Sequence, residues 1–245
     1  MKMHMFFTNK VVIYLCQSVI KKIRGGIFAQ IPVLCFGRGI YMNDNMESVQ
    51  NVLRKLAKIN YIKPGEVPNI NLYMDQVTTF MDEHLSDSKR HENDKILTKT
   101  MINNYTKNDL LPPPVRKKYS KDHLYVLAFI YYFKNILSIS DIQKLIKPLT
   151  DNFFDTDKMP NLDSVYREIY NMCKSQAESL SRDILEKAKK ASNSFQYLEN
   201  QEEKDFLELF SMVSLLSFDV YIKKNMIESL IDDYTLKHDD KEKNS

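Results

Sequence analysis

The stretch Leu97-Thr98-Lys99-Thr100-Met101-Ile102-Asn103-Asn104-Tyr105-Thr106-Lys107-Asn108-Asp109-Leu110-Leu111-Pro112-Pro113-Pro114 decides how this chain folds. Leu97, Met101 and Tyr105 recur at i, i+4 and so share one face of a helix, while Lys99, Asn103 and Thr106 or Lys107 fall on the other. The spacing predicts a helix that Asp94 caps and that runs through Asn108. Leu110-Leu111 and the three prolines end it, because proline lacks the N–H a helix interior needs and biases its predecessor to extended backbone. The element has one dry face and one face of amides and cations.

Working outward, Val49, Val52, Leu53, Leu56 and Ile59 predict a helix over Met46 to Ile59, stopped at Lys63-Pro64-Gly65. Leu72 to Leu85 predicts a second, followed by the polar linker Ser86 to Asp94. Downstream, Ser120 is expected to cap a helix over Lys121 to Asn135. Ser138 or Ser140 is expected to cap another over Asp141 to Ile146, ended by Pro148. Thr150 to Pro160 is acidic and turn-rich, and reads as a domain boundary. Two longer helices are expected beyond it, from Asp163 to about Ser192 and from about Gln201 to Thr235. Phe206, Leu209, Phe210, Val213, Leu216, Val220 and Ile227 make the last one the oilier, and core packing is their expected role.

Composition narrows the function classes. Of five glycines in 245 residues, only Gly65 lies beyond residue 41, so the glycine-rich phosphate loops of P-loop and Rossmann proteins are absent and hairpin-rich sheets are disfavoured. Three scattered cysteines supply neither a disulfide framework nor a paired metal motif, and they read as a reducing, cytoplasmic compartment. The five histidines lack zinc-ligand spacing. Asp122 and His123 are adjacent, so on a helix their side chains diverge rather than forming a base and its orienter. No enzyme activity, cofactor or metal is expected.

Residues 1–41 carry six Lys or Arg and no acid, and their apolar runs, Val11 to Ile20 and Ile27 to Phe36, are too short to cross a membrane. The segment reads as upstream sequence translated in frame, with the start at Met42 or Met46, or as a disordered basic extension. The rest is polarised. Residues 89–121 hold nine basic and three acidic residues, whereas residues 151–245 hold 13 basic and 20 acidic ones, which points to a polyanion-binding head and an acidic helical partner domain.

Within the head, Thr100 to Pro113 resembles the recognition-helix run T-I-R-Y-Y-E-x-x-G-L-L-x-P of MerR-type transcription regulators, with Ile102, Tyr105, Leu110, Leu111 and the prolines matching. Arg116-Lys117-Lys118-Tyr119 resembles that family's wing segment, and Leu127-x-Phe129-Ile130 and Leu137 to Ile142 resemble its following helices. Asn103 stands at the family's arginine and Asp109 at its glycine, and Pro114 to Tyr119 is short and glycine-free for a hairpin wing. Asn71 to Leu149 is also similar to a family of uncharacterised bacterial proteins that share this block.

The resemblance implies a mainly α protein: a winged helix-turn-helix domain over residues 42–149, then a helical dimerisation or ligand-sensing domain over residues 150–245. It further implies a homodimeric regulator on double-stranded DNA that answers to a small-molecule or protein effector, with no membrane partner. Asn103 and Asn104 would read base edges, since an amide pairs bidentately with adenine. Lys99, Lys107, Arg116, Lys117, Lys118 and Lys121 would meet phosphates. Tyr119 would stack on the backbone or anchor the loop. The alternative is a protein-interaction module that keeps the helix-turn-helix core and docks a partner through Phe206 to Ile227.

Overall fold

The computed structural model describes residues 44–56 and 62–243, and the expectation for residues 1–41 lies outside them. The helical character read from the spacing holds. In chain order the elements are α1 (Asp44–Leu56), β1 (Leu72–Tyr73), α2 (Met74–Leu85), a 3-10 turn (Ser86–Ser88), α3 (Lys99–Lys107), β2 (Lys118–Tyr119), α4 (Lys121–Phe133), α5 (Ile139–Phe153), α6 (Leu162–Ser192) and α7 (Gln201–Lys243).

Nine consecutive residues, His123 to Tyr131, are buried in α4, and a helix apolar on all sides must be wrapped by others. Val77 and Met81 of α2, Ile102 of α3, Ile142 and Ile146 of α5, Leu162 and Tyr166 of α6 and Ile231 of α7 wrap it. Tyr166 stacks on Tyr125 with ring centroids 4.2 Å apart and donates its hydroxyl to the Ile62 carbonyl at 2.8 Å, tying the lead into β1 onto α6. Tyr125 donates to Asp163, which also accepts from Lys121 and Arg167. Burial alone would raise the Asp163 carboxyl, but the hydrogen bonds from Arg167, Lys121 and Tyr125 hold it far below the usual carboxylate range. Packing thus runs unbroken past Thr150 to Pro160, the segment that reads as a boundary.

Two helix ends depart from expectation. Thr98, not Asp94, caps α3, accepting the Met101 N–H at 3.1 Å, because Asp94 already accepts the N–H groups of Arg90 and His91. α5 runs through Pro148 to Phe153. An interior proline costs about 3 kcal/mol, whereas each fully buried aliphatic side chain contributes about 1.5–3 kcal/mol. Ile142 and Ile146 are buried and Leu149 and Phe153 partly so, and this face outweighs the lost bond. Ser138 is the cap, accepting the Asp141 N–H at 3.2 Å.

α6 and α7 form an antiparallel pair joined by the ion pair Lys187–Asp219 at 2.8 Å. A second small core lies there, with Ala188, Ala191 and Met212 covered by Ile184, Leu216 and Val49 of α1. Here the expected packing of α7 is corrected. Leu216 and Ile227 are partly buried, but Phe206, Leu209, Phe210, Val213 and Val220 face solvent, because α6 and α1 cover only one side of the helix. Among the described residues, no helix is long and apolar enough to cross a membrane.

Candidate nucleic-acid interface

Both ends of α3 are locked by local chemistry. Leu97 at N′ and Ile102 at N4 hold the positions of a hydrophobic staple and both lie in the core. The buried contacts of α3 itself are therefore Ile102 and Tyr105, with Leu97 contributing from outside the helix and Met101 partly buried. Burial raises the Tyr105 phenol, which keeps it neutral. At the other end Asp109 takes a left-handed φ of 53°, the Leu110 N–H donates to the Tyr105 carbonyl at 2.9 Å and the Asp109 N–H to that of Thr106 at 3.4 Å. That is a Schellman stop with aspartate where glycine is usual. Lys134 secures the lead-in by donating to the Ile96 carbonyl at 2.8 Å, and burial lowers its ammonium pKa. Asn103, Asn104 and Lys107 remain exposed on the outer side of α3.

A hairpin does form without glycine, contrary to the expectation from its length. Val115 and Lys118 exchange N–H···O bonds of 3.1 and 3.0 Å around the two-residue turn Arg116-Lys117. Both turn residues take positive φ, 51° and 65°, as a twist-matched two-residue hairpin requires. Asn-Gly is the sequence that suits this turn, and a left-handed backbone costs an ordinary residue roughly 1 kcal/mol or more. Two exposed cations are thus held in a strained tip. β2 continues from it and pairs antiparallel with β1, Leu72 opposite Tyr119 and Tyr73 opposite Lys118. α2 touches both α3 and β2 and so is the common support of the helix and the hairpin.

Three expected contacts change meaning. Tyr119 is only 3% exposed and packs edge-on against His123, so it anchors the hairpin and cannot stack on a nucleic-acid backbone. Lys121 is committed to Asp163 at 2.7 Å, and Lys99 is paired with Asp75, so neither brings an uncompensated charge. Lys118 lies over the ring of Tyr73, 5.1 Å from its centroid. Tyr73 itself is exposed and joins the set. Helical spacing concealed it, because it stands on a two-residue strand before α2, whose alternation buries Leu72 and exposes its neighbour.

Asp122 and His123 do diverge. Asp122 accepts the Asp155 N–H at 2.9 Å, and His123 Nδ1 accepts the Ser120 N–H at 3.0 Å, which places the imidazole proton on Nε2. Nε2 is buried with no hydrogen-bond partner. The Pro113 and Pro112 carbonyls favour the charged ring without reaching hydrogen-bond geometry, and burial outweighs them, pushing the His123 pKa down.

Residues 62–173, a little under half of the chain, match a family model described as a domain of unknown function (DUF1836). The match begins at Ile62, whose carbonyl is held by Tyr166, and ends within α6, so it takes in most of the main core, Ile231 of α7 excepted, and includes α3 and the hairpin. No curated protein and no solved structure matches the chain.

Proposed function

We propose that this protein binds double-stranded DNA as a transcription regulator, through the outer face of α3 and the hairpin tip. The observation that carries the reading is the pairing of two exposed features on one support. A helix fixed at both ends presents Asn103, Asn104 and Lys107, and a strained turn presents Arg116 and Lys117. Strain in a turn made of two cations is retained where those cations have work to do. The order strand, helix, helix, hairpin, helix also agrees with the resemblance to MerR-type winged helix-turn-helix regulators.

In this reading α3 lies in a major groove, where Asn103 or Asn104 donates to N7 of adenine and accepts from its N6 amino group, each such pair contributing about 1–3 kcal/mol of discrimination. Lys107, Arg116, Lys117 and Lys118 meet phosphates, with Tyr73 beside them. The test is selection of sheared genomic DNA by the protein at low salt, with a variant carrying Asn103, Lys117 and Lys118 changed to Ala run in parallel. Enrichment of one shared sequence element, lost in the variant, is expected. No enrichment at low salt overturns the proposal in favour of a protein-docking role.

A further inference from the structure

The linker between α2 and α3 is tied to the end of α4 at two points, Ser88 Oγ to the Tyr131 hydroxyl and the Ile96 carbonyl to Lys134 Nζ. Beside these ties lies a cleft of about 470 Å³, a size within the range of small-molecule sites. Lys89, Arg90, Lys95 and Lys134 line it, against the single carboxylate of Asp94. Lys89 is spent on Asp82 at 2.7 Å. Arg90, Lys95 and Lys134 have no ion pair among the described residues. Asp94 does not neutralise them, because its Oδ2 is turned onto the linker's own backbone, accepting the N–H groups of Arg90 at 3.1 Å and His91 at 2.9 Å. The neutral groups of the wall are also occupied: Ser88 Oγ donates to the Leu85 carbonyl at 2.5 Å, and Asn135 Nδ2 to the Tyr131 carbonyl at 3.0 Å.

Lys134 is the unusual member. Its ammonium is half-buried, yet it meets a carbonyl and an aromatic ring rather than a carboxylate: Ile96 at 2.8 Å, and Tyr131 with the ring centroid 4.9 Å away. A cation drawn partly out of water is unfavourable unless an opposite charge accompanies it, and burial accordingly lowers its pKa. One of its three donors is used on Ile96. The cleft thus offers cationic donors and lacks the negative charge that would balance them.

From this we infer that the cleft binds the phosphate group of a small molecule, held between Arg90, Lys95 and Lys134. Charge and shape select the class. Three unpaired cations set against Asp94 leave about two positive charges, which a phosphate monoester matches near neutral pH with three acceptor oxygens on one atom. The guanidinium of Arg90 can take two of those oxygens side by side, and the ammonium groups serve as point charges. The site lies wholly within the head and takes no residue from 150–245, where the resemblance places ligand sensing. Lys134 also holds the lead-in to α3 through Ile96, so the bound anion meets the group that fixes where α3 begins.

The test titrates inorganic phosphate into the isotope-labelled full chain at constant ionic strength and follows the backbone amide chemical shifts. Saturable shifts are expected at Arg90, Lys95, Ile96 and Lys134. Arg90→Gln and Lys95→Gln, both at exposed positions, should each weaken binding about 10-fold while the rest of the spectrum stays in place. Lys134→Met, which keeps the apolar stem and removes the charge, should abolish saturation. Shifts that never saturate, or that saturate equally in all three variants, would overturn the site. Succinate filling it as tightly as phosphate would overturn the phosphate assignment. Because the titration contains no DNA, its result stands whether or not the protein binds DNA. DNA affinity at low salt should change by less than about threefold in Arg90→Gln/Lys95→Gln. A larger loss without phosphate saturation would give the cleft to the duplex backbone and overturn the inference.

Discussion

α4 and α7 are both oily helices with opposite fates. In α4 the run from His123 to Tyr131 is buried residue after residue, because β2, α5 and α6 close on it and α2 and α3 contribute to the same core. In α7 the run from Phe206 to Ile222 is also rich in apolar residues, though broken by Glu208, Asp219 and three serines, and Phe206, Phe210, Phe218 and Val220 stand 60–63% exposed. Composition is therefore no guide to burial by itself. What differs, among the described residues, is which elements close on each helix: several surround α4, whereas α6, α5 and α1 meet α7 and leave its Phe206 to Ile222 side exposed.

The largest test of this contrast is truncation at equivalent apolar positions. Leu127→Ala in α4 is expected to cost about 2–5 kcal/mol in urea unfolding. Leu209→Ala in α7, at an exposed position, is expected to stay within about 0.5 kcal/mol. Equal losses would mean that α7 packs within the chain and would break the comparison.

A second test uses the buried histidine of α4. Its folded-state pKa is depressed below the ordinary 6.5 by burial, so at pH 7 both folded and unfolded forms are neutral. As pH falls below 6.5 the unfolded chain takes up the proton first, and stability falls until the folded ring is also protonated. The carboxylates act lower. Asp163, held down by its partners, withdraws stability only as pH falls below about its unfolded value of 3.8, while Asp122, raised by burial, acts in the opposite sense just above it. Unfolding midpoints between pH 7 and 5.5 should decline in the wild type and decline less in His123→Gln. A parallel decline in both would remove His123 as the cause. A smaller effect is expected at the end of α3, where Asp109→Gly should stabilise the fold by about 1 kcal/mol by relieving the left-handed aspartate. Thermal unfolding would check it.

Much of the fold could be read from the residues because the period and the stops agreed. The prolines after Leu111, the caps at Ser120 and Ser138, the length of α6 and the start of α7 all follow from local chemistry, although α7 runs to Lys243, past the expected end at Thr235. The misreadings came where tertiary packing decided. Pro148 sits inside α5 because burial of Ile142 and Ile146 outweighs one missing bond, and the start of α3 moved because Asp94 was occupied elsewhere. In the candidate interface, Asn103, Asn104 and Lys107 were legible as the wet side of a helix. The commitment of Lys99 and Lys121 to Asp75 and Asp163 was not, since those carboxylates lie on other elements. Nor could spacing show that Arg116-Lys117 would form a tight turn without glycine. β1 pairs with β2 from 45 or so residues away, and that long-range pairing is what holds the hairpin.

The central claim is tested most directly at that turn, by measuring DNA affinity across a range of salt concentrations for the wild type and for Arg116→Asn/Lys117→Gly. The substitution suits the turn better, so its unfolding temperature should be equal or higher. Its DNA affinity should nevertheless fall, with the slope of log affinity against log salt reduced by about two for the two phosphate contacts removed. Unchanged affinity and slope in the variant, or no DNA binding by the wild type at low salt, would contradict the account.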